Sequence, residues 1–350
     1  MRAILSLIVA VVATAVGEAL LWGGGAATLR VVERGAASDA RVLVPAILAV
    51  VGIVLLAIAM LTAAWSSLGV IVVGAIHLIV GTAAVLISPA VYFAVLRPLH
   101  EANADVAGGV DYAAATGMLL LTGVVMFVGG IALAARKARS GVAGRVTSLV
   151  LALVLGIGLL PVLAIGGFRV VQSVLVRLSA VVELFGALLL IGAAILLVVV
   201  VVTVRWSSLG AFVIGALLAA TGFVALFVPG LVVRPLIFDR QLDGGAVYVA
   251  GTGQLALLGT LLLAAAIAGL VRAAQRRAAE PVPDVEERIG YATEPTPSWD
   301  RPQPAPPPPP ATGPQPVSAL DELFPPRTSA YDPPTAPGAA PPAPPPTDRV

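Results

Sequence analysis

Glu18, His77 and Glu183 are the ionisable side chains that fall inside long apolar runs of this sequence. A charge in hydrocarbon is costly, so such residues pair with one another, line a polar path or carry protons. His77 lies near the middle of its run, where an imidazole can hold a proton near neutral pH or bridge two helices as a polar contact. The bridging role is the expected one. Glu18 lies about one turn inside the end of its run and Glu183 near the start of its own. Both are expected to reach interfacial water or a neighbouring arginine.

A second set of side chains lies between the apolar runs. Arg30, Arg97, Arg169 and Arg234 occur in matched surroundings, as Leu-Arg-Val-Val and Phe-Arg-Val-Val, then as two copies of Arg-Pro-Leu. Four guanidinium groups in such an arrangement could receive an anionic lipid headgroup or an envelope polymer. The plainer expectation is that they serve nearby phosphates and acidic loop residues. Arg30 and Arg169 read as parts of short β-like segments.

The inventory of catalytic groups is thin. The chain has no cysteine and two histidines, His77 and His100. Thiol catalysis and zinc–thiolate sites are excluded, and a histidine-rich metal site is not expected. No phosphate-binding loop, dinucleotide fingerprint, nucleophile elbow or histidine–carboxylate metal spacing is present. An enzyme is therefore not expected, nor are a cofactor, a metal or a nucleic-acid partner.

The elements that position these residues are membrane helices. Hydrophobic residues make up 59% of the 350 and charged ones 11%, against about 45–50% and 25% in soluble domains. Eight apolar stretches, at 3–22, 43–64, 66–88, 114–135, 146–166, 180–204, 207–229 and 252–271, are each long enough to span as a helix. Among the helical stretches, only Pro161 hints at a break.

The stretches also repeat. Trp65-Ser66-Ser67-Leu68-Gly69 returns as Trp206-Ser207-Ser208-Leu209-Gly210, with Gly74 matching Gly215 and Gly81 matching Gly222. Gly108-Gly109, Tyr112 and Thr116-Gly117 return as Gly244-Gly245, Tyr248 and Thr252-Gly253. The sequence thus predicts an all-α integral membrane protein of two parallel four-helix repeats, 1–140 and 141–278. Four crossings per copy return the chain to its starting side, so a pseudo-two-fold axis should lie along the membrane normal. Serines after each tryptophan should accept from the N–H groups opening the next helix. The retained glycines should mark close helix packing.

Residues 279–350 differ in kind. They hold 23 of the 29 prolines and a net charge of −6, against +8 for residues 1–278. Such a segment buries too little apolar surface to fold and reads as a disordered, proline-rich acidic tail. One island, Leu320, Leu323 and Phe324, would place three apolar side chains on one face of a helical turn. It is a candidate motif for a cytoplasmic protein partner. Arg136, Lys137, Arg139, Arg145, Arg272, Arg276 and Arg277 cluster on the side shared with the termini. Both termini are therefore expected in the cytoplasm of a plasma-membrane protein surrounded by membrane lipids. The expected role is non-enzymatic organisation or regulation of envelope machinery through the tail; the alternative is a transporter or lipid flippase built from the two repeats.

Overall fold

The computed structural model describes residues 1–34, 40–87, 89–135, 141–177, 179, 181–228 and 240–279. Arg234, the tail from Glu280 onward and its Leu320–Phe324 island lie outside the described residues. Every regular element among the described residues is helical. In chain order these are α1 Arg2–Glu33, α2 Leu43–Leu61, α3 Leu68–Leu86, α4 Pro89–Ala102, α5 Ala104–Ala115 and α6 Met118–Ala134. They continue as α7 Val142–Val171, α8 Leu184–Val202, α9 Leu209–Phe227, α10 Arg240–Gly251 and α11 Gln254–Ala279.

Seven of these elements are long and apolar enough to cross a membrane: α1, α2, α3, α7, α8, α9 and α11. The chain is a multi-pass helical membrane protein. The expected stretch at 114–135 takes a different form. Its helical part, α6, has 17 residues and meets α5 at an angle of 73°. Gly117 makes the corner with a φ of 73°, a left-handed conformation that glycine adopts without a Cβ clash. Gly253 makes the corresponding corner between α10 and α11, with a φ of 80°.

Two tight turns join α2 to α3 and α8 to α9. Thr62 Oγ1 donates back to the Ala59 carbonyl at 2.7 Å, and Trp65 N–H closes a turn on the Thr62 carbonyl at 3.0 Å. Ser66 Oγ then accepts from Leu68 N–H at 3.4 Å, satisfying a free donor at the start of α3. The second turn repeats each step with Thr203 to Val200 at 2.6 Å, Trp206 to Thr203 at 3.0 Å and Leu209 to Ser207 at 3.2 Å. Ser6 on α1 and Ser148 on α7 each donate into their own turn, to the carbonyls of Ser66 at 2.9 Å and Ser207 at 3.0 Å. The serine acceptors expected after each tryptophan are present in both places.

Helix packing is matched in the same way. α1 packs on α2 and α5, as α7 packs on α8 and α10. α3 packs on α6, as α9 packs on α11. The glycines explain how closely. A Cβ at Gly74 or Gly81 would strike the backbone of α6, and one at Gly215 or Gly222 the backbone of α11. The helices bearing Gly74 and Gly215 thus meet equivalent neighbours rather than each other. It is α6 and α11 that touch at the centre, with most of α6 and half of α11 buried.

Three expectations are corrected. Arg30 and Arg169 are not in β-like segments but in the last turns of α1 and α7. The region around Arg97 and Gly108-Gly109 is a helical hairpin, α4–α5, rather than a loop. Pro161 does not break its helix, since α7 runs without interruption from Val142 to Val171.

Candidate functional site

Two histidine–carboxylate pairs carry the chemistry among the described residues, and both lie before residue 140. In the first, α1 brings Glu18 against His77 of α3. Glu18 Oε1 and His77 Nε2 are in direct hydrogen-bond contact, and the two side chains are 13% and 10% exposed. His77 Nδ1 faces the Val73 carbonyl one turn back at 2.8 Å, which accepts from it. That bond fixes the ring and turns Nε2 toward the carboxylate. Gly17, beside Glu18, packs on the backbone of Gly52, so α1 is held close as it passes α2.

The sequence picked out both residues but placed Glu18 near an interface. α1 continues to Glu33, so Glu18 sits at mid-helix and finds its partner inside the protein rather than in water. His77 makes a polar contact between α3 and α1.

The second pair stands at the opposite end of α3 from the Trp65 turn. His100 Nε2 of α4 meets Asp111 Oδ2 of α5 at 2.9 Å, and His100 Nδ1 faces the Leu96 carbonyl at 3.0 Å. The Leu96 carbonyl and the Asp111 carboxylate outweigh partial burial and hold the His100 pKa above its ordinary value. Tyr92, on α4, donates to the Val110 carbonyl at 3.2 Å. Burial and the adjacent Asp111 charge raise its phenol far above the usual range, so it remains a neutral donor. Phe93 sits edge-on to the His100 ring, with centroids 6.4 Å apart.

A pH dependence follows from His100. Folding raises its pKa, so the folded state holds the proton more tightly than the unfolded chain does. This contribution to stability is fully present below about pH 6.5 and is lost as pH rises through the elevated folded value. Amide exchange over 92–111 should therefore quicken across that window, and His100→Gln should flatten the response. An unchanged pH profile in that variant would remove His100 as the titrating group.

The arginines are engaged separately. Arg169 Nε donates to Gln241 Oε1 at 3.2 Å, its Nη1 reaches Glu183 Oε1 at 3.4 Å, and its guanidinium lies 4.7 Å from the Phe185 ring centroid. Glu183 also caps α8 by accepting from Gly186 N–H. Arg97 pairs with Glu101 one turn away at 2.9 Å on an exposed face. Arg30 Nε donates to the Ala26 carbonyl at 3.3 Å. Each of these three guanidinium groups has its own neighbours.

The sequence reading passed over Tyr92, His100 and Asp111 as a group. Their signal was weak: His100 and Asp111 are eleven apart and separated by the helix break at Asn103. It also passed over Gln254, fully buried at the start of α11, whose Nε2 donates to the Thr116 carbonyl at 3.2 Å. No family model matches the chain. Neither a curated protein nor a solved structure matches it.

Proposed function

We propose that the chain is two copies of one four-helix unit, 1–140 and 141–278, crossing the cell membrane eight times with both termini in the cytoplasm. On this reading α5–α6 and α10–α11 each supply a fourth crossing with a bent entry. In support, residues meet their own mates at the centre. Tyr112 stacks on Tyr248 with centroids 6.1 Å apart, and α6 lies against α11. Away from the centre the two copies exchange neighbours helix for helix: Gly25 of α1 approaches Thr252, and Gly167 of α7, about one turn beyond the counterpart of Gly25 at Ala164, approaches Thr116. Self-contacts on an axis and exchanged contacts around it are what a two-fold relation requires.

Such a body serves as a scaffold whose tail organises or regulates envelope machinery, without catalysis of its own. The observation that carries this reading is the packing between the halves. Leu121, Val125 and Met126 of α6 and Leu258, Leu261, Leu262 and Ala265 of α11 are fully buried. A secondary transporter places unwound helices and a polar path at this position. Glu18 and His77 lie away from it, between two helices of the first copy.

The test is made on the tail. Deleting 279–350 is expected to abolish function or localisation while the body still inserts. Replacing Leu320, Leu323 and Phe324 with alanine in the full chain should reduce recovery of cytoplasmic partners in pull-downs. Full activity of the truncated protein would sink the scaffold reading.

A further inference from the structure

α4 is fastened on one side and open on the other. Tyr92 and His100 hold it to Val110 and Asp111 of α5. Roughly opposite His100, the residues Val91, Ala94, Val95, Pro98 and Ala102 fall on a single helical stripe. All five are exposed, Val91 by 48% and Val95 by 69%. The stripe carries no charge, and Arg97 and Glu101 stand at its flank, paired with each other. α4 begins at Pro89, just after the spanning helix α3 ends with Leu86 and Ile87 exposed. Its 14 residues fall short of the roughly 20 that a crossing needs. Pro98 narrows the placement further. It has no N–H for the Ala94 carbonyl, and a carbonyl without its helical donor is costly in hydrocarbon. The stripe therefore belongs where apolar side chains meet lipid and water still reaches the backbone.

We infer that α4 docks on the lipid surface as an interfacial helix, with Val91, Val95 and Ala102 seated in the acyl boundary and Arg97 and Glu101 at headgroup level. The stripe has none of the large aromatic or arginine anchors that fill a protein partner's pockets. A modest apolar stripe is enough for lipid, because α3 and α5 already hold both ends of α4 at the membrane. Seated in this way, α4 sets the depth of α5, whose Tyr112 stacks on Tyr248 of α10.

The chain has no cysteine, so Val91→Cys, Val95→Cys, Glu101→Cys and Ala102→Cys can each carry a nitroxide label without background. All four sites are exposed, so the labels leave the packing intact. The full chain would be reconstituted in vesicles of phosphatidylethanolamine and phosphatidylglycerol. Electron paramagnetic resonance then compares collisions of each label with oxygen, which enters lipid, and with a water-soluble nickel chelate. Labels at 91, 95 and 102 should share one depth, about 5–10 Å into the boundary between headgroups and acyl chains. The label at 101 should collide more with nickel than with oxygen. A depth that changes steadily from 91 to 102 would mean that the helix stands upright and would overturn the inference. Equal nickel access at all four sites would show the stripe facing water, with the same consequence. Labels at 91 and 95 shielded from both reagents would place a second copy of the chain on the stripe, and lipid would be ruled out as the occupant.

Discussion

Replacing His77 with alanine is expected to destabilise the protein by about 3–5 kcal/mol, the range for breaking a buried charged pair from one side. The loss comes mainly from Glu18, which would be left buried on α1 without its partner. Glu18→Leu alone should cost less, because the remaining imidazole can stay neutral and keep its bond to Val73. The double replacement, Glu18→Leu with His77→Leu, should recover much of the loss, since apolar side chains can fill the same space. Unfolding of the four proteins in mixed micelles gives the double-mutant cycle that measures the coupling. Strictly additive effects would show that the pair contributes nothing as a pair.

Alanine at Gly81 or Gly222 is expected to lower stability by about 1–3 kcal/mol, the usual range for overpacking. The added methyl at Gly81 would run into the backbone of Leu120, and at Gly222 into that of Ala256. Backbone cannot step aside as a flexible side chain can. Gly74 and Gly215 should behave likewise; at Gly215 the nearest atom to an added Cβ is the Gly259 carbonyl oxygen, at 2.9 Å. Gly192 provides the control. Nothing lies within 4 Å of a Cβ there, so alanine should be neutral or stabilise by about 0.5–1 kcal/mol through helix propensity alone. Equal effects at Gly81 and Gly192 would show that steric contact does not set the response.

What the sequence revealed and what it hid divide along a physical line. Apolar length places most of the spanning helices, because a helix must satisfy its own backbone in lipid whatever its neighbours are. The Trp-Ser-Ser turns were equally readable, since a serine cap acts within two residues. The extension of α1 was not. Gly23-Gly24-Gly25 looks like the end of a helix by local propensity. In the fold, Gly24 packs against the backbone of α2 and Gly25 against Thr252, so tertiary contact carries the helix through. Pro98 and Gly108-Gly109 misled in the same way over α4–α5, where Gly109 seats against the Trp22 backbone. The Glu18–His77 pair joins residues 59 apart. Spacing within one helix says which residues share a face, but nothing in it says which faces of different helices will meet.

The placement of both histidine–carboxylate pairs before residue 140 has a genetic corollary on the two-copy reading. Two identical chains assembled about an axis must show every change twice, so a costly buried ion pair would be installed on both sides together. Joined end to end in one gene, the halves are released from that obligation. Leu218 stands where His77 has its counterpart, and Val247 where Asp111 does. One half can thus keep an ancestral apolar interior as a brace while the other explores polar substitutions. Covalent linkage here acts as a licence for asymmetry.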